Sequence, residues 1–216
     1  ALRSGAGPEL LGVNGAALER ATAADLAADT APTRAAALRY TGVLYQTLGV
    51  DTLPGAARRR LGGRVRIFSG LWGVVSATDP IPDYRLDMSA TLPGLGSLTA
   101  FWREHLTTAL DAASAGRVVW DLRPNEHLGA WTPPPERTRI VVRFLDEVSR
   151  GGERRLVTVS HWNKLLKGAL VRHLLIHDAH DDLDVLAGFG HDGFRWEPDR
   201  TRRDGATTTV EIVRRG

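Results

Sequence analysis

Residues 69–88, SGLWGVVSATDPIPDYRLDM, have neither the 3.6-residue period of a helix nor the sustained alternation of a strand. A segment of that length without a period has to be shaped by its own residues. Ser69-Gly70 and Gly73 free the backbone, whereas Pro80 and Pro82 fix φ and remove donors, so the spacing predicts a rigid built loop. That loop presents Tyr84-Arg85-Leu86-Asp87, and rigid loops are where binding groups concentrate. The alternative is a structural loop under a sheet edge, with Arg85 and Asp87 pairing internally.

Around this loop, periodic stretches of both kinds alternate. Val65–Phe68 reads as a short buried strand leading into it, and residues 98–115 form an amphipathic helix after it. Val118–Trp120 is a strand that ends in Asp121-Leu122-Arg123-Pro124-Asn125-Glu126-His127, a strand end spilling polar groups of the sort that commonly builds a site. Arg139–Leu145 and Leu156–Val159 predict a hairpin across Ser149-Arg150-Gly151-Gly152. Trp162–His177 is the next helix, and Thr207–Val213 a final strand.

Upstream, Arg34–Leu48 reads as a helix ending at Gly49, kinked at Thr41-Gly42. Pro54 opens a short basic helix carrying Arg58, Arg59 and Arg60, stopped at Gly62-Gly63. Residues 21–34 read as a loop or frayed helix. At 8–18, PELLGVNGAAL places Gly12 and Asn14 in a turn before an Ala-rich helix. This is compatible with a helix-hairpin-helix, in which backbone amides approach a phosphate, or with an ordinary helix-turn-helix connection. The fold expected is mixed α/β (α+β), one domain over residues 1–216, with a central mixed sheet flanked by helices.

At 43% hydrophobic and 25% charged, the 216 residues are ordinary globular material. No apolar run approaches the roughly 20 residues of a membrane span, and no signal-peptide pattern opens the chain, so a cytoplasmic protein with no membrane partner is expected. The absence of cysteine excludes disulfides, thiolate metal sites and cysteine nucleophiles. A net charge of +3 with a pI near 9.8 leans mildly toward phosphate partners. Of the 28 basic residues only Lys164 and Lys167 are lysines. Arginine replaces lysine as a charge but not as an amine that gives up a proton or forms a Schiff base.

On a helical wheel Lys164, Lys167, Gly168 and Arg172 fall within an arc of roughly 140°, opposite Leu165, Leu166, Ala169, Leu170, Leu174 and Ile176. Gly168 costs on the order of 1 kcal/mol in a helix relative to Ala, and its bare Cα lets another backbone or a phosphate come close. His173, His177 and His180 stand among Asp178, Asp181 and Asp182. A polar helix end explains these histidines better than a metal site, so no metal and no cofactor is expected. SGLWG is not a GxSxG elbow, which argues against Ser69 as a hydrolase nucleophile.

Taken together, SGLWG, DPIPDYRLDM, Phe101-Trp102, Asn125-Glu126 and SHWNKLLKGALVR resemble the YaaA family, peroxide-stress-associated DNA-binding proteins of bacteria. Tyr40-Thr41-Gly42-Val43-Leu44-Tyr45 and the Leu11–Asn14 turn correspond in the same order, so the resemblance covers about residues 10–176. It implies a mixed α/β domain with a basic cleft, a helix-hairpin-helix-like element on DNA, and a role in limiting oxidative damage. Lys164 matches a family lysine, and Lys167 stands where many members have arginine. Asp87 stands where glutamate is frequent and His127 where tyrosine is common. The chain is expected to be an actinobacterial-type member, and since it starts at Ala1, the family's N-terminal strand is expected to be missing in this numbering.

Two functions are therefore expected, with oligomeric state left open. In the first, DNA phosphates contact Gly12, Asn14, Thr41, Tyr45, Ser69, Trp72, Tyr84, Arg85, Asn125, Lys167, Gly168 and Arg172 in a basic cleft, with little base specificity. In the second, an enzyme acts on a nucleobase, nucleotide or damaged DNA. There Lys164, with its pKa lowered by Lys167, Arg172 and partial burial, is nucleophile or proton carrier, Asp87 or Glu126 is general acid/base, and Arg85 clamps a phosphate or carboxylate. A nucleotide or nucleobase-like small molecule would be its substrate, stacked on Tyr84 or Trp72.

Overall fold

The computed structural model describes residues 2–5, 7–159, 162–178 and 181–215. In chain order it forms α1 (Gly7–Leu11), α2 (Gly15–Leu26), β1 (Arg34–Ala35), α3 (Ala36–Arg39), α4 (Val43–Leu48) and α5 (Gly55–Arg64). Next come β2 (Arg66–Ser69), β3 (Gly73–Ser76), β4 (Pro80–Ile81), β5 (Thr91–Leu92), β6 (Gly96–Ser97), α6 (Leu98–Ala113), β7 (Val119–Asp121) and α7 (Asn125–Leu128). The chain ends with β8 (Arg139–Arg150), β9 (Glu153–Thr158), α8 (Asn163–His177), β10 (Arg195–Trp196), β11 (Arg202–Asp204) and β12 (Thr207–Arg214). The fold is mixed α/β, as expected.

Contacts group these elements into two compact units: residues 1–40, 61–113 and 123–132, and residues 41–60, 114–122 and 133–216. In the first unit, α1 and α2 meet through Leu10, Leu11 and Ala21, with Leu2, Val13, Leu18, Leu86 and Leu92 packed around them. Where a loop or frayed helix is expected from residue 21, α2 continues to Leu26. The burial of Ala21 against the leucines outweighs the local lack of an apolar period. The α1–α2 turn places Gly12 and Gly15 at φ +62° and +55°, a conformation glycine adopts without a Cβ penalty. This establishes a helix-turn-helix connection; a phosphate-binding hairpin is a narrower statement than this geometry makes.

The segment from Ser69 is more regular than its sequence suggests. β2 and β3 form an antiparallel hairpin pairing Arg66 with Ser76 and Ser69 with Gly73, closed by Gly70-Leu71-Trp72. Pro80-Ile81 adds a short strand against Arg34-Ala35. Apart from the turns at 70–72 and 77–79, the stretch without regular structure runs from Pro82 to Ala90. Four-residue strands are too short to display a period, which is why the hairpin escapes pattern reading.

In the second unit a six-stranded mixed sheet runs in the order β10-β12-β8-β7, with β11 on β12 and β9 on β8. β8 is parallel to both β12 and β7 and antiparallel to β9. Its core is Ile140, Val142, Phe144, Leu166, Leu170, Leu186, Phe194, Val210 and Ile212, so α8 lies on the sheet by the apolar side read from its sequence. The helix expected over 34–48 is broken: α3 ends at Arg39 and α4 begins at Val43, with Tyr40 extended at ψ 127° between them. Gly49 closes α4 in the left-handed region.

Candidate functional site

Polar side chains are gathered at two places, one in each unit. In the first unit the bare Cα of Gly70 is what brings the Tyr84–Asp87 segment against the β2–β3 turn. A Cβ there would lie 2.5 Å from the Leu86 carbonyl oxygen and 2.6 Å from the Asp87 carbonyl carbon. The Trp102 indole N–H donates to the Gly70 carbonyl at 2.8 Å, fixing the turn from the α6 side. Gly73, at φ +70°, lies under the same indole ring.

This packing aligns three hydroxyls. Ser69 Oγ is 2.6 Å from Tyr84 Oη, which is 2.5 Å from Tyr40 Oη. Ser69 is buried and accepts the Trp72 amide at 3.0 Å, while the Trp72 side chain stays exposed. Burial raises the Tyr40 phenol above its ordinary range, against the opposing bonds from Tyr84 and Ser69. Tyr40 is thus held in its neutral form at physiological pH.

The Arg85 and Leu86 amides both donate to Asp25 Oδ1, at 2.7 and 3.4 Å. Asp25 Oδ2 is buried without a partner among the described residues. Burial raises the Asp25 carboxyl, only partly offset by the two amides. The Arg85 side chain is exposed, and no ion pair joins it to Asp87 among the described residues, so the internal pairing reading is set aside. Asp87 Oδ1 instead accepts the Ser89 amide and hydroxyl at 2.8 and 2.6 Å. Burial pushes the Asp87 carboxyl up, but Ser89, helped by His127 and Arg85, holds it below the usual carboxylate range.

α7 delivers Glu126 and His127 to the same neighbourhood. Arg123 sits 4.5 Å over the Phe68 ring and 5.5 Å from the Trp131 ring, and donates to the Trp131 carbonyl at 2.9 Å, which pins the start of that helix. Burial lowers the His127 imidazole, while Asp87 and Glu126 pull it upward. Asn125 and Glu126 are exposed. Burial prevails, so the neutral imidazole is favoured beside the two carboxylates. His127, Tyr40 and Asp25 were not among the binding residues read from the sequence; only His127 gave a signal there, as a titratable group at a strand end.

The second unit carries the lysines. Lys164 is exposed rather than partly buried, so the desolvation expected for it is absent. Gly168 is buried: the backbone that comes close to it belongs to α4, where an added Cβ would collide with the Leu44 carbonyl and lie 3.1 Å from Thr47 Cβ. Arg172 turns from the expected phosphate toward the end of α4. It donates to the carbonyls of Leu48, Gly49 and Thr52 at 3.0, 3.1 and 2.9 Å, satisfying groups that a helix end leaves open. Arg60 does the same for α8, donating to the Leu175 carbonyl at 2.9 Å and pairing with Asp178 at 3.0 Å. Thr41 is exposed and Tyr45 half-buried on α4, and Lys167 is half-buried.

His173 contacts the Val185 carbonyl at 2.8 Å and packs at a tilt against His177 with ring centres 4.3 Å apart, which is a packed helix end. No group of three or more metal-binding side chains occurs among the described residues, and His180 lies outside them, as does the Ser160-His161 start of the lysine-helix motif. Arg85, Asp87 and Glu126 thus belong to the first unit, and Lys164, Lys167, Gly168 and Arg172 to the second.

A family model described as peroxide stress protein YaaA matches residues 8–200. The chain belongs to the YaaA family. The match extends beyond residues 10–176, where the resemblance was legible, as far as residue 200. YaaA relatives at similar distances carry the name UPF0246 protein. One from Streptomyces coelicolor is 44% identical over 149 residues, 68% of this chain and 55% of its own. Another from Corynebacterium glutamicum is 38% identical over 169 residues, 74% of this chain and 63% of its own. A third, from Roseobacter denitrificans, is 33% identical over 186 residues, 82% of this chain and 71% of its own. The chain therefore spans somewhat more than half the length of the first two YaaA relatives.

Proposed function

We propose that this YaaA-family chain serves the peroxide stress response by binding the phosphate backbone of DNA with little sequence preference. The observation that carries the reading is the division of labour among its cations. Arg60 and Arg172 are consumed by helix ends, whereas Lys164 and Arg59 are exposed and make no hydrogen bond or ion pair among the described residues. Exposed cations on rigid helices are the groups that release counterions when a phosphate replaces them. Fluorescence anisotropy on a duplex at several salt concentrations tests it. Affinity should fall steeply with salt and change little with sequence, and affinity indifferent to salt would refute it.

A second reading, an enzyme on a nucleobase, nucleotide or damaged DNA, is favoured by His127 standing in the field of Asp87 and Glu126. Asp87 or Glu126 would move the proton in the first unit, and an amine nucleophile is a separate element of the reading, assigned to Lys164 of the second. Borohydride trapping on an abasic duplex decides it. A covalent adduct lost in Lys164→Arg supports the enzyme, and no adduct leaves binding alone.

A further inference from the structure

The β8–β9 hairpin is longer than the sheet that holds it. β12 pairs with β8 only as far as Arg214 opposite Asp146. Beyond that rung, Glu147, Val148, Ser149 and Arg150 pair solely with Leu156, Arg155, Arg154 and Glu153 of β9. At about 3.3 Å per residue these rungs make a two-stranded ribbon projecting roughly 13 Å past β12. Gly151 and Gly152, at φ +61° and +84°, close it as a tight turn without side chains.

The charges of the ribbon are placed for a partner outside it. The Arg154 and Arg155 side chains are 74% and 70% exposed and, being adjacent on a strand, point to opposite faces. Their ion pairs, to Glu147 at 3.5 Å and Glu153 at 2.6 Å, are surface pairs of little worth in water, so either guanidinium is free to exchange its carboxylate for a phosphate. Glu147 is held independently by Arg215 at 2.7 Å and does not need Arg154.

We propose that this ribbon is an arm that enters the major groove of duplex DNA, Arg154 meeting the phosphates of one strand and Arg155 those of the other. The proposal rests on the DNA-binding reading and names an element of it. A groove about 12 Å wide admits a two-stranded ribbon, and a bare Gly-Gly tip removes the side chains that would stop it short of the base edges. The deep, narrow groove of duplex RNA does not admit it.

Anisotropy titrations on a duplex DNA and a duplex RNA of the same sequence would compare the wild type with Arg154→Ser/Arg155→Ser, Arg154→Lys/Arg155→Lys and Arg58→Ser/Arg59→Ser. The Ser pair on the ribbon should weaken DNA binding about fivefold or more and lower the salt slope by roughly 1.8, two phosphate contacts' worth. The Lys pair should recover most of that affinity, and RNA binding should be unmoved by either. DNA binding undiminished in the ribbon Ser pair, or an equal loss on RNA, overturns the arm while leaving DNA binding itself intact. Wild-type protein that does not bind DNA overturns both readings together. Circular dichroism on each variant confirms that the exposed substitutions leave the fold in place.

Discussion

Gly168 shows how a residue's meaning is set by what lies against it. Its helical cost is on the order of 1 kcal/mol, so Ala would be stabilising on an open face. Here the Leu44 carbonyl occupies the space, and Gly168→Ala should destabilise by about 1–3 kcal/mol in urea unfolding. Asp25 offers the opposite case. Its raised pKa means that ionisation opposes folding: its contribution is present below the unfolded carboxyl value and lost as pH rises through the folded one. Asp25→Asn keeps an acceptor for the Arg85 and Leu86 amides and discards the buried charge, so its melting temperature at pH 7 should equal or exceed the wild type's. For His127 the depressed pKa gives stability present above the unfolded value, near 6.5, and lost as pH falls through the folded one. His127→Gln should flatten that acid limb in melts taken between about pH 7 and pH 5. Tyr40 and Asp25 could not be found from sequence because both act through partners more than 40 residues away. Trp72, Tyr84 and Arg85 stood out because their local sequence was already peculiar.

At the scale of elements, α4 and α8 form a unit in which the glycine sets the separation and Arg172 sets the register. Lysine keeps the charge but has one nitrogen where arginine reaches three carbonyls, so Arg172→Lys should cost about 1–3 kcal/mol and loosen amide protection in residues 48–52. Long elements were readable: α6, α8, β12 and the β8–β9 hairpin stand within a few residues of where their periods put them. Short ones were not. β2–β3 hides in glycine-rich sequence, and the interruption at Thr41-Gly42 was read as a kink where the chain in fact divides into α3 and α4. The lysine helix was read with the correct core side except at its end, where Leu175 is buried and Ile176 exposed, and its polar side was mistaken for a uniform cationic face. Burial of Gly168 and the reach of Arg172 depend on α4, which a helical wheel does not contain.

On the scale of the molecule, each compact unit is assembled from three separated stretches of chain. The C-terminal portion, residues 133–216, holds most of the large sheet but lacks α4, which packs on α8, and β7, which pairs with β8 through Val119, Trp120 and Asp121. Produced alone, it should show weak, non-cooperative thermal unfolding and poorly dispersed amide resonances. No helix among the described residues is long and apolar enough to cross a membrane.

The parallel pairing of β8 with β12 also sets a timetable. Arg139 meets Thr207 and Asp146 meets Arg214, partners separated by a long excursion of chain through β9, α8, β10 and β11. Closing so large a loop has to precede any gain from the contact, and topologies of this kind fold slowly. On the ribosome, β8 waits with one flank unpaired until residues 207–214 have emerged, though β9 covers the far half of its other flank early. The hairpin is thus an early protection for the strand at the centre of the sheet, and slowing translation ahead of residue 207 should lengthen the interval in which the other flank is open to aggregation.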